Sequence, residues 1–210
     1  MIGIEWIVLW VAWIMAGGSP GPATLSIAGT SMTHGRRAGL VFSLGILFGS
    51  ACWGLAAAAG MSAVMLANVW MFEILRYCGA AYLLFLAVKS LRSALSSHDP
   101  AKGRAHGGRA RKVFSKGAMI HLTNPKAILS WASIYALVLP AGAGAAQVFG
   151  LFGFLFSGSI LIFLGYAVLF STPGVVSVYT RLRRGFELVF AGFFGFASLK
   201  VLTAKLGEGS

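Results

Sequence analysis

The sequence predicts an all-α integral membrane protein with six transmembrane helices. They form two three-helix halves, a 3+3 inverted repeat, in which the first and fourth helices are broken. Three observations predict this. Hydrophobic residues make up 58% of the chain and charged residues 10%, against about 25% charged in soluble domains. Residues 38–72 and 127–180 contain no Asp, Glu, Lys or Arg, and each run exceeds the roughly 18 apolar residues that suffice to span a bilayer. Lys and Arg gather in alternate connections between the apolar runs. This composition excludes a soluble enzyme, a disulfide scaffold and a disordered chain.

The apolar segments are about 4–29, 38–60, 72–91, 113–139, 148–170 and 186–202. The first is interrupted by Gly17-Gly18-Ser19-Pro20-Gly21-Pro22 and the fourth near Asn124-Pro125. Pro140-Ala141-Gly142-Ala143-Gly144 supplies the turn that the long uncharged run requires. In lipid the backbone must satisfy its own hydrogen bonds, so each segment is expected to be helical. The ten-residue alternation of a β-barrel is not visible. No basic segment precedes the first apolar run, so that run reads as a retained helix rather than a signal peptide. Gly45 and Gly49 form a G-x-x-x-G in the second segment. It suits close packing within the subunit or in a homodimer.

The connections set an expected orientation. Arg36 and Arg37 lie between segments one and two, five Lys and Arg between Ser93 and Lys112, and Arg181, Arg183 and Arg184 between five and six. The other two connections carry none. The basic face should be cytoplasmic, which puts both termini outside the cell membrane. This bias accounts for the net charge of +12 without nucleic acid. Residues 93–112 read as a basic linker between halves 1–92 and 113–210, all within one membrane transport domain. Its His98 and His106 read as solvated side chains rather than a metal site. No metal or other cofactor is expected. Glu73 with Arg76, and Glu187 with Arg183 and Arg184, have the spacing of local ion pairs.

The two interruptions carry most of the functional information. Proline removes a backbone donor and clashes with the preceding turn. The groups it frees cannot face lipid, so they must meet protein, water or a ligand. Broken helices at matching places in two halves point to a transporter's central site. The half-helix after each proline offers N–H groups and a positive dipole end to a carboxylate. Carbonyls before each break suit an ammonium, so a zwitterionic amino acid matches both. The candidate substrate site is Pro20, Gly21, Pro22, Thr24, Thr123, Asn124, Pro125 and Lys126. Lys126 is the only Lys, Arg, Asp or Glu between Lys116 and Arg181. It either meets a substrate carboxylate, holds a freed carbonyl, or snorkels to an interface. His121 is a candidate proton relay or a neutral core histidine.

These residues resemble the lysine exporter/homoserine–threonine resistance (LysE/RhtB) family over nearly the whole chain. The resemblance rests on Ser19-Pro20-Gly21-Pro22, Gly35-Arg36-Arg37-Ala38-Gly39, Gly45 with Gly49, Gly79-Ala80-Ala81-Tyr82-Leu83, and Asn124-Pro125-Lys126-Ala127. It implies a six-helix secondary transporter that exports an amino acid or related metabolite from the bacterial cytoplasm, driven by the proton motive force. Its partners would be the substrate, protons and the lipid bilayer. The chain departs from the family at Ala23, where many members have Asn, and at Ser50, where many have Asp. Two readings compete with transport. A membrane thiol–disulfide electron carrier would need reactive cysteines near the prolines, and Cys52 and Cys78 lie elsewhere. A non-transporting membrane partner would keep the broken helices without a substrate. A membrane enzyme would need an acid–base or metal constellation that five acids and four His do not supply.

Overall fold

The computed structural model describes residues 4–67, 69–95, 105–140 and 143–203. Among them every regular element is helical: α1 (Ile4–Gly18), α2 (Pro22–Ala67), α3 (Val69–Leu95), α4 (Ala110–Leu122), α5 (Pro125–Val138), α6 (Ala145–Leu169) and α7 (Pro173–Thr203). His98, Lys102, Arg104 and Lys205 lie outside the described residues, as do the side chains of Glu73, Arg76 and Arg183.

Both interruptions are real helix boundaries. α1 runs out at Gly17-Gly18; Ser19 N–H still reaches Met15 O at 3.0 Å, and Pro20 then has no N–H to continue. α2 restarts with Pro22 in its first turn, where the missing donor costs nothing. Thr24, three residues after Gly21, takes the Gly21 N–H on its Oγ1 at 3.0 Å, the back-reaching half of a capping box. α4 ends at Leu122, and Asn124 caps α5 by accepting the Lys126 N–H on Oδ1 at 3.1 Å.

The first expected connection differs from the sequence reading. Residues 34–37 were expected to be a loop, yet α2 runs through them as two helical arms, 22–34 and 36–67. The arms meet at Gly35, with φ 80° and ψ 174°. That left-handed φ is open to glycine and strained for other residues, so one residue makes the corner. Arg36 Nε donates to Ser171 Oγ at 3.2 Å and ties the corner to the α6–α7 turn.

α2 and α4 pack backbone to backbone. A Cβ on Gly45 would strike Phe114 O and Ala118 N, and one on Gly117 would strike Phe42 O. The Gly45/Gly49 motif is therefore used inside the subunit, where small residues let two helices close. Ala23, Ile27, Phe42, Ile46, Val113, Ile162 and Phe163 fill the space among α2, α4 and α6. A second cluster centres on Trp13, Trp131, Tyr135 and Leu155. α3 and α7 pair separately through Tyr82, Leu86, Phe190 and Phe194, with Ser198 Oγ donating to Ala80 O at 3.0 Å. Leu44, Phe48, Leu84, Phe85, Leu161 and Phe196 are exposed, a surface suited to lipid rather than water. Pro22–Gly60 and Ala145–Leu169 are long and apolar enough to cross a membrane by length and composition.

His106 is not solvated as the sequence suggested. Its ring stacks on Phe42 with centroids 5.2 Å apart and planes 6° apart, and its backbone N–H donates to Thr30 Oγ1 at 3.2 Å. The end of the basic linker is thus folded against both arms of α2.

Candidate functional site

The two breaks face each other. Lys126, in the first turn of α5, sends its ammonium to the end of α1, where Nζ donates to Ser19 O at 2.8 Å and to Ser19 Oγ at 2.6 Å. A Cβ on Gly21 would lie 3.4 Å from Lys126 Cδ and 3.5 Å from Nζ, so the side chain lies along the bare glycine backbone. A positive charge at the C-terminal end of α1 is favourably placed against that helix's dipole.

The carbonyls released by the breaks are met one by one. Tyr166 OH on α6 donates to Gly18 O. Trp53 Nε1 donates to Leu122 O at 3.2 Å. Asn124 N–H reaches back to His121 O at 3.1 Å. A buried unpaired carbonyl costs about 1–3 kcal/mol, so these donors make the two breaks tolerable inside an apolar bundle. Tyr82 OH on α3 adds a bond to Lys126 O at 3.1 Å, a carbonyl inside the first turn of α5 and not one freed by the break.

Between the breaks lies a cavity of about 40 Å³, bordered by Gly17, Gly21, Thr24, His121, Asn124 and Lys126 among others. Its far wall is aromatic. Trp13 and Trp131 have ring centroids 4.5 Å apart. Their indole N–H groups donate to Ser159 Oγ at 3.0 Å and Ser50 Oγ at 3.2 Å. A water needs at least about 10–15 Å³, so a chamber of about 40 Å³ has room for water but must widen to admit an amino acid. Beside it a wider, mostly apolar cleft of about 1200 Å³ runs between α1, α3, α5, α6 and α7. Trp13, Ala16 and Ser130 border both spaces and form the partition between them.

Of the residues singled out in the sequence, Gly21, Thr24, Asn124, Lys126 and His121 border the chamber. Pro20, Pro22 and Pro125 shape its two helix ends but do not border it. Thr123 is exposed, and its Oγ1 turns back to Met119 O at 2.8 Å; the hydroxyl is spent on the end of α4. His121 is 4% exposed, edge-on to Phe163, and its Nδ1 has no hydrogen-bond partner. Sequence reasoning missed Ser19, Tyr82, Tyr166, Ser130, Ser159 and the two tryptophans. Polar side chains inside uncharged runs were the available signal. Which of them turned inward was not. Ser50, noted only as a departure from a family pattern, borders the chamber. Cys52 and Cys78 are free thiols, and neither borders it. Among the described residues no group of His, Cys, Asp and Glu could hold a metal ion.

The profile described as "LysE type translocator" matches residues 14–205. The threonine efflux protein of Salmonella typhi is 31% identical over 181 residues, which cover 83% of this chain and 88% of the relative. That of Escherichia coli K12 is 30% identical over 184 residues, with the same coverage. The leucine efflux protein of Klebsiella pneumoniae is 28% identical over 184 residues, covering 85% of this chain and 86% of the relative. No solved structure matches the chain significantly.

Proposed function

Because the chain belongs to the LysE type translocator family, a family of membrane transporters rather than enzymes, we propose that it is a secondary transporter that exports an amino acid from the bacterial cytoplasm. The carrying observation is Lys126. Its ammonium lies at the meeting point of two helix ends, beside a small chamber bordered by both breaks. In this reading an incoming carboxylate replaces Ser19 as the acceptor for Nζ, aided by N–H groups at the start of α2 and α5. The substrate-binding residues in this reading are Gly21, Thr24, Asn124 and Lys126, with Pro20, Pro22 and Pro125 setting the helix ends that border the chamber; Thr123, which turns outward, is left out. The Trp13–Trp131 wall takes the apolar part of the substrate.

The architecture proposed for this work has six spans in two inverted halves, 1–92 and 113–210, joined by 93–112. α1 with the first arm of α2 would make one broken span, and α4 with α5 the other. Each of these four pieces has 13–15 residues, or roughly 20 Å, so two in sequence are needed to cross a hydrocarbon core of about 30 Å. The pairing of α3 with α7, the last helix of each half, supports the internal symmetry. The basic face lies in the cytoplasm of the inner membrane and both termini lie outside. Inward proton flow drives export, and His121 relays protons between the chamber's waters and the site. Since Gly45 and Gly49 are used within the chain, they give no argument for a homodimer.

The test is transport in proteoliposomes loaded with radiolabelled amino acids, including the threonine and leucine for which relatives are named, with and without an imposed proton gradient. Gradient-stimulated transport of at least one amino acid is expected. Its absence across the panel would favour a non-transporting role.

A further inference from the structure

The wide cleft beside the chamber has a direction. Its walls take in Glu5 at the start of α1, Pro140 just after α5 and Gln147 in the first turn of α6. All three belong to the end of the bundle with the α5–α6 turn, which carries no Lys or Arg. From there α6 runs 25 residues, about 37 Å, to the basic corner where Arg36 meets Ser171. The cleft therefore leads from the non-basic end to the centre of the bundle. It stops at Trp13, Ala16 and Ser130, which it shares with the chamber.

The cleft wall is mostly apolar, with Leu83, Leu86, Ile134, Leu137 and Phe193 among its residues. One polar line crosses it. Lys126, Ser130 and Ser133 are spaced four and three residues apart, so they share one face of α5. Lys126 borders the chamber, Ser130 borders both spaces, and Ser133 borders the cleft. Tyr82, also on the cleft wall, sets its hydroxyl 3.5 Å from Ser130 Oγ. The partition itself is slight. Ala16 and Ser130 are small, and the bulk comes from Trp13, whose indole N–H is held by Ser159 Oγ at 3.0 Å. The cleft, at about 1200 Å³, exceeds the roughly 300–1,000 Å³ of small-molecule pockets.

We propose that this cleft is the outward half of the substrate path, that Ser130 and Ser133 are its polar contacts, and that it suits an amino acid with an apolar side chain. The assignment rests on the transporter reading above. A zwitterionic head that leaves Lys126 needs new partners, because an unpaired polar group in an apolar wall is costly. A hydroxyl donates to a carboxylate and accepts from an ammonium, so each serine serves both ends of the head. The apolar wall takes the side chain. A cationic side chain has no such match: among the described residues, Glu5 at the mouth is the only acid on either space. Swinging the Trp13 indole off Ser159 joins chamber and cleft. A lipid tail would use the apolar wall alone. The serine line and the shared border with the chamber favour substrate.

The experiment places single cysteines at Ser130 and Ser133 in full chains without Cys52 and Cys78. A membrane-impermeant methanethiosulfonate reagent is applied to intact cells and to inverted membrane vesicles, with Arg109→Cys marking the basic face. A detergent-denatured sample confirms that each thiol is present. The thiolate is the reactive form and apolar surroundings suppress it, so a lipid-filled cleft leaves both positions unreactive. Ser133→Cys is expected to react from the face opposite Arg109→Cys. Leucine should protect Ser130→Cys and lysine should not. Reaction at either position should abolish leucine exchange in proteoliposomes. No reaction at Ser133→Cys from either face would overturn the path and favour lipid. Reaction only from the Arg109 face, or reaction that leaves exchange intact, would also overturn it. Equal protection by lysine, or a wild type that exchanges threonine but not leucine, would overturn the substrate class. A wild type that exchanges neither amino acid would instead count against the transporter reading itself.

Discussion

Lys126→Met separates a binding charge from a structural one. Methionine keeps much of the stem that lies along Gly21 and removes the ammonium. The loss to the fold has two opposing parts. Two charge-assisted bonds to Ser19 disappear, each worth about 1.5–3 kcal/mol. Against this, an ammonium no longer has to be held out of water, which costs several kcal/mol on its own. Ser19 O also keeps a long contact from Thr24 Oγ1 at 3.4 Å. The two parts nearly cancel, so stability should change by about 2 kcal/mol or less. Transport has no such offset. A carboxylate that loses a charge-assisted partner loses about 1.5–3 kcal/mol, which is roughly a 10- to 150-fold weaker affinity. The variant should insert, purify and melt much like the parent, yet lose efflux at low substrate concentration. The assay is initial efflux rate against internal amino-acid concentration, paired with a thermal melt in detergent. Parental rates at low concentration would refute the reasoning and leave Lys126 as a clamp on the end of α1.

Lys126→Arg should be only partly active in the same assay, because a guanidinium is broader than an ammonium and Gly21 leaves little room beside the stem. Gly45→Ala should destabilise the protein by about 1–3 kcal/mol or more through overpacking, since its Cβ meets the α4 backbone; Gly60→Ala, with open space around it, is the control, and melting temperatures compare them. Tyr82→Phe should cost about 0.5–1.5 kcal/mol by removing the bond that ties α3 to the first turn of α5 at Lys126 O, read as a lower melting temperature. In a background without Cys52 and Cys78, cysteines at Arg109 and Arg184 should resist an impermeant reagent in intact cells and one at Ser210 should react. Gly107 is a poor reporter site because a Cβ there would run into the His34 ring. Labelling at Arg109 from outside would reverse the orientation.

The sequence alone determined the helical class, the two places where the chain breaks at Pro20-Gly21-Pro22 and Asn124-Pro125, and some of the residues beside them. These follow from local chemistry: proline cannot donate, glycine adds no Cβ, and a long uncharged run leaves its backbone only its own hydrogen bonds. It also determined that Lys126 is unusual, because a lone cation in such a run is visible without coordinates. The tertiary structure decided what that cation meets, since Ser19 lies 107 residues away in the chain. It decided that Thr123 turns outward and Tyr166 inward, that His106 stacks on the face of Phe42, and that Glu187 meets Ser93 of α3. Spacing along one helix says which side chains share a face. Which face is buried depends on the helices that pack against it, and these come from distant parts of the chain.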